Sequence, residues 1–262
     1  MPLQVSSPGS GPLTLGEVLR RPIPDREFSD RCLIRGLALL GRSQVRVVSG
    51  LEHVSPSNDP FILVLNHSTR REALLVPAIL MLNRGGRLIH FMADWNFRLV
   101  PGIGFIYRHT QTITVTRKSA RPRILNLLKP LYLARLTVLE RARAYLLAGM
   151  SIGIFPEGRV NNDRNRLLRG RTGAAYLSLE TGIPIIPAGI CLPDAGPGRA
   201  LPRAPLEIRI GLPLRPPSPP LLRVPNADLR IWHAAIMLEI SRLSGKAWIS
   251  ARGAKECTMK AT

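Results

Sequence analysis

Acidic residues are scarce in this chain: 17 Asp and Glu stand against 37 Lys and Arg, a formal charge of +20. Lysine is scarcer still, at five residues to 32 arginines. Such an excess favours anionic partners, which can be nucleic acid, the anionic headgroups of a membrane or an acidic protein. A compositional bias towards Arg, Ala and Pro produces the same excess, so charge alone does not choose. Aromatic residues make up only 5% of the chain. There is no aromatic-basic interleaving, no finger spacing and no basic helix leading into heptads, which argues against a nucleic-acid partner.

The three cysteines, Cys32, Cys191 and Cys257, are odd in number and follow no pattern. They argue against a disulfide framework and a four-ligand zinc site, and they fit a reducing compartment. No metal is expected. No run approaches the ~20 apolar residues that span a bilayer, and residues 1–10 lack the basic start and apolar stretch of a signal peptide. A cytoplasmic protein with only peripheral membrane attachment is expected.

What is present is ordinary for a globular domain: 262 residues, 45% hydrophobic and 21% charged, enough for one α/β domain with a full core. Residues 1–15, rich in Gly, Pro and Ser, read as a mobile lead-in. Residues 16–50 read as an amphipathic helical region, with apolar residues at helical spacing from Phe28 to Leu40 among Asp30, Arg31 and Arg35. That helix suits a membrane surface or simple packing against the domain.

The core pattern opens with Phe61-Ile62-Leu63-Val64-Leu65, an all-apolar run expected of a strand buried on both faces. Further strands are expected at Leu88–Met92, Thr112–Thr116, Ile152–Phe155, Ile183–Ile190 and Leu206–Gly211. Helical patterns lie at Glu72–Leu82, with Pro77 a kink, at Ile124–Met150, bent near Pro130, at Thr172–Thr181 and at Asp228–Leu243. The alternation predicts a single domain over residues 51–244, with a largely parallel central sheet flanked by helices and active-site loops at the carboxyl ends of the strands. Residues 245–262 carry no core pattern and read as a disordered tail.

Chemistry concentrates where strands end. His67 follows the first buried strand, and Glu72 comes five residues later at a helix entrance. There the carboxylate can take one imidazole nitrogen and leave the other free to accept a substrate proton. A second cluster, Phe155-Pro156-Glu157-Gly158-Arg159, follows another strand and puts both charge signs at its carboxyl end. A third, Ile183-Pro184-Ile185-Ile186-Pro187, is a strand bracketed by prolines. Taken singly, these also fit a helix cap, a turn with a surface ion pair and an edge strand.

In combination and order, the clusters resemble the lysophosphatidate and glycerol-phosphate acyltransferases. The resemblance runs through Asn66-His67-Ser68-Thr69-Arg70-Arg71-Glu72, then Pro101-Gly102-Ile103-Gly104 with Gln111 to Arg117, then Phe155 to Gly158, then Pro184-Ile185-Ile186-Pro187. Gly173-Ala174-Ala175 also fits, with Arg171 where a lysine is usual. The resemblance implies a glycerol-phosphate acyltransferase-like fold. It also implies His67 as base, Glu72 as its orienter, Arg117, Arg159 and Arg171 as phosphate holders, and Glu157 as organiser of the acceptor pocket. Asn66, Ser68 and Gly158 are expected in substrate binding, and backbone N–H groups at the helix entrance in stabilising the oxyanion.

The implied reaction moves a fatty acyl group from acyl-CoA or acyl-carrier protein to a lysolipid hydroxyl, by default that of 1-acyl-glycerol-3-phosphate, giving phosphatidic acid. It needs no cofactor beyond the acyl donor. A membrane lipid surface is the expected partner. Three departures from the family pattern bear on the acceptor and the base: Glu72 stands where Asp is usual, Asp94 where many relatives carry a lysine, and Val160 where an arginine is usual. Acylation of another lysolipid or amphiphilic alcohol, or lipid binding without turnover, therefore stays open.

Overall fold

A computed structural model describes residues 13–24, 26–100, 102–116, 119, 123–132, 136–192, 205–217 and 219–249. Its elements run α1 (Leu15–Arg20), α2 (Phe28–Gly41), β1 (Val45–Ser49), β2 (Ile62–Leu65), α3 (Glu72–Asn83), β3 (His90–Asp94) and α4 (Ile103–His109). There follow β4 (Ile113–Val115), α5 (Val138–Leu147), β5 (Ile152–Ile154), α6 (Gly173–Thr181), β6 (Ile185–Cys191), β7 (Leu206–Ile210) and α7 (Asn226–Ser244). Among the described residues, no helix is long and apolar enough to cross a membrane.

The strands form one sheet in the order β1-β7-β6-β2-β5-β3-β4. Strands β6, β2, β5, β3 and β4 run parallel, β7 is antiparallel to β6, and β1 is parallel to β7. The single α/β domain with a largely parallel sheet is therefore what forms. Strand β2 shows why its sequence is apolar throughout. Phe61, Leu63 and Leu65 pack with Val76, Ile79 and Leu80 of α3. Ile62 and Val64 point the other way, into a core with Ala174 and Ala175 of α6 and Ile236 and Met237 of α7. Neither face meets water, so the period of two is carried by direction alone. Burying each of these large side chains contributes about 1.5–3 kcal/mol.

Three expectations change. Residues 16–50 are not a purely helical region, because Val45–Ser49 forms edge strand β1 paired with β7, so the sheet reaches past the expected boundary at residue 51. The helix expected over residues 124–150 is instead a 3-10 segment, Arg123–Tyr132, and a separate α5. Thr137 restarts the helix through a capping box, accepting from the Glu140 N–H at 3.2 Å while Glu140 accepts from the Thr137 N–H at 2.6 Å. The tail expected to be disordered from residue 245 has a fixed start. Gly245 caps α7 in the left-handed region at φ 72°, Ala247 donates its N–H to Asn165 O at 2.7 Å, and Leu167 donates to Ala247 O at 2.9 Å. The helix before it is itself tied to the sheet, for Cys191 of β6 donates its S–H to Leu243 O at 3.2 Å.

Candidate active site

The loops after β2 and β5 meet because those strands are neighbours in the middle of the sheet, so His67 and Glu157, 90 residues apart, share one site. The His67 ring lies against the Phe155 ring, with centroids 4.4 Å apart, and keeps 14% of its side chain exposed. Its Nδ1 stands 3.3 Å from Glu72 Oε2. An ionised carboxylate only accepts, so Nδ1 carries the proton in this arrangement and Nε2 is the basic nitrogen.

Glu72 is fully buried. Its Oε2 also accepts the Ser68 N–H at 2.7 Å, and its Oε1 accepts the Thr69 N–H at 2.9 Å. The extra methylene, compared with Asp, lets the carboxylate reach back under the turn and fold the loop around itself. Two of the backbone donors expected to serve an oxyanion are therefore occupied by Glu72.

Asn66 and Ser68, expected to bind substrate, are buried and hydrogen-bonded within the protein. Asn66 continues the sheet with its side chain: Nδ2 donates to Ile190 O at 3.1 Å and Oδ1 accepts the Ile190 N–H at 2.7 Å. Ser68 Oγ accepts from Asn66 Nδ2 at 3.2 Å and from Lys246 Nζ at 2.7 Å. Glu157, expected to shape the acceptor pocket, is likewise buried. Its Oε1 accepts the His67 N–H at 3.0 Å, and its Oε2 accepts from Asn161 Nδ2 at 2.7 Å and the Leu168 N–H at 2.9 Å. Both oxygens are engaged by protein donors, so Glu157 ties together the loops after β2 and β5.

The arginines sit outside this buried frame. Arg159 and Arg171 are exposed. A Cβ added to Gly158, at φ 65°, would come within 2.8 Å of Arg171 Nε, so the glycine admits that close packing. Arg117 lies outside the described residues. Asp94 ends β3, and Arg98 nearby donates to Thr114 Oγ1 at 3.2 Å and lies over the Tyr132 ring. Burial first, and Asp94 second, push the Tyr107 hydroxyl pKa up, while Arg98 opposes them. Arg98 thus brings positive charge to the corner where Asp94 departs from the family pattern. Among the described residues no group of three or more His, Cys, Asp and Glu side chains could hold a metal ion.

The family model described as Acyltransferase matches residues 45–191. The chain belongs to the acyltransferase family. Among solved structures, the 1-acyl-sn-glycerophosphate (LPA) acyltransferase PlsC from Thermotoga maritima is similar in fold. The TM-score is 0.53, the match covers 87% of each chain, and 20% of residues are identical. No curated protein matches. Sequence reasoning about this acyltransferase missed Lys246, Asn161 and the stacking of Phe155 on His67. Only Lys246 left a trace, as a rare lysine directly after a helix-ending glycine.

Proposed function

We propose that this acyltransferase moves a fatty acyl group from a thioester, acyl-CoA or acyl-carrier protein, to the hydroxyl of a lysolipid at a membrane surface. The default acceptor is 1-acyl-glycerol-3-phosphate and the product phosphatidic acid. The observation that carries the reading is the His67 imidazole set on a fully buried Glu72, with its other nitrogen left for substrate. Nε2 takes the acceptor hydroxyl proton as the oxygen attacks the thioester carbonyl. The carbon–sulfur bond breaks, and the departing thiolate takes the proton from the imidazolium. Glu72 holds the tautomer and stabilises the imidazolium. The thioester supplies the activated acyl group, so positioning and proton transfer are what the protein must add.

Arg159 and Arg171 on the rim, together with Arg98 and Arg117, are the groups offered to an acceptor phosphate. Asp94 at the end of β3 favours a second reading for the acceptor alone, a lysolipid or amphiphilic alcohol with a less anionic head. The test is a lipid-product assay with purified protein, several lysolipids and both thioester donors. Phosphatidic acid from the wild type, and none from His67→Ala, is the expected result. Wild-type protein that acylates none of the acceptors with either donor overturns the reading.

A further inference from the structure

Lys246 is a buried ammonium that the reaction as drawn does not use. It is 5% exposed, and its Nζ donates to Ser68 Oγ and to Asp163 O, each at 2.7 Å. A lysine taken out of water at this cost is retained only where acceptors and opposite charge surround it. Here burial pulls its pKa down, while Glu157 first, then Glu72, Asp163 and Cys191, favour the charged form.

Its backbone is fixed on both sides. Gly245 turns the chain out of α7, Ser241 Oγ donates to Lys246 O at 2.6 Å, and the N–H of Ala247 pairs with Asn165. The partner segment 161–168 is the one that supplies Asn161 and Leu168 to Glu157. Lys246 therefore meets the site twice, through Ser68 beside Glu72 and through the loop that grips Glu157. The chain uses arginine almost everywhere else, and here it presents the compact three-donor head of a lysine.

We infer that Lys246 is a positioning residue of the acyl-transfer site: its ammonium anchors Ser68 and offsets one of the two buried negative charges of Glu72 and Glu157, so that His67 acts as a base beside a single net negative charge. The inference rests on the acyl-transfer reading above. Without the ammonium, both carboxylates would act on the imidazolium uncompensated and hold it too well. The ammonium opposes that. It also holds the Ser68 turn whose N–H orients Glu72.

The test compares wild type, Lys246→Met and Lys246→Arg as full-length proteins, with folding checked by circular dichroism. The readouts are kcat, KM for both substrates and the pH profile of kcat. Wild-type turnover that is lost in His67→Ala secures the underlying reading first, so a negative result below concerns Lys246 alone. Lys246→Met should lose kcat on the order of tenfold or more while each KM stays within about twofold. Its acidic limb should move to higher pH by roughly half a unit, because a cation near the base is gone. Lys246→Arg, which keeps the charge, should return that limb towards the wild-type position. Wild-type kcat in folded Lys246→Met, or a loss with the acidic limb unmoved, overturns the inference. Should Lys246→Met fail to fold, Ser68→Ala removes the hydroxyl that the ammonium holds, together with its longer contact from Asn66 Nδ2. A several-fold fall in its kcat supports the inference, and wild-type kcat overturns it.

Discussion

The two ends of the central strands bury negative charge in opposite ways. At the amino end, before β2, Asp59 receives Arg84 Nη2 on both oxygens at 2.8 Å, and Arg87 Nε lies 3.0 Å away. Ser151 Oγ also donates to Asp59, and Arg84 Nη1 to Val54 O. At the carboxyl end, Glu72 is held by the neutral Ser68 and Thr69 N–H groups and by His67, with Lys246 and Arg71 acting on it electrostatically. A guanidinium cancels the carboxylate and closes the site. Neutral donors orient the carboxylate, and the single Lys246 ammonium offsets only part of the Glu72 and Glu157 charge, so a field remains for an imidazolium formed beside it. The amino end is a lock, and the carboxyl end is a held charge with a titratable partner.

Removing the partner is the largest expected effect. His67→Ala should lower kcat by on the order of 10⁴ in a thioester-dependent assay, because among the described residues His67 is the one histidine set against Glu72. The ring is partly exposed and its neighbours bond to backbone, so the melting temperature should change little. A variant retaining a tenth of wild-type turnover would sink the assignment of the base.

Breaking the lock tests the other half of the comparison. Arg84→Met leaves Asp59 buried against Ser151 and the exposed Arg87, and should cost about 3–5 kcal/mol in a denaturant titration. Activity per folded molecule should stay at the wild-type level. A fall in kcat without loss of stability would mean that the amino end also serves the chemistry.

Altering the held charge comes next. Glu72→Gln keeps the shape, loses the charge and turns one oxygen into a donor facing an N–H, so kcat should fall about a hundredfold. Glu72→Asp keeps the charge, with a shorter reach to Ser68 and Thr69, and should remain active at a smaller loss than Gln. Steady-state kinetics of the pair decide the point: if Asp is the worse of the two, reach matters here more than charge.

The sequence exposed the carboxyl end better than the amino end, for a physical reason. His67, Glu72 and Glu157 follow apolar runs directly, and a strand that stops at polar residues marks its own end. The Asp59, Arg84 and Ser151 network comes from residues separated by up to 92 positions with no local pattern, since a buried ion pair requires only proximity in space. Short β1 was hidden because VRVVS is too brief to separate from the helical stretch before it. Asn66 and Ser68 lie beside the base, but their bonds to Ile190 and Lys246 were not legible in the sequence. Nothing local says whether a polar side chain at a strand end faces a ligand or a neighbouring strand. Lys246 stayed hidden because its setting depends on where α7 ends against the sheet.

The smallest expected effect concerns the surface between these buried ends and the lipid. Helix α2 packs Ile34, Ala38 and Gly41 inward, while Phe28 and Leu40 stay 81% and 66% exposed beside exposed Arg31 and Arg42. On α5, Arg141 donates to Thr114 O at 3.3 Å and Arg143 stands 3.5 Å from Glu180, so both have partners within the fold. The α2 face, which adds the exposed Phe28 and Leu40 to its arginines, is the one expected to meet anionic headgroups. Each basic residue near the surface should contribute about 1 kcal/mol, so Arg42→Gln should weaken binding to anionic vesicles by roughly fivefold. Sedimentation should show binding that falls as salt rises, because charges separated by more than about 8 Å are screened at physiological ionic strength. Phe28→Ala should weaken binding to anionic and neutral vesicles alike, since it removes apolar contact rather than charge. If wild-type protein binds neutral and anionic vesicles equally at every salt concentration, the attraction is hydrophobic and the surplus arginines serve another purpose.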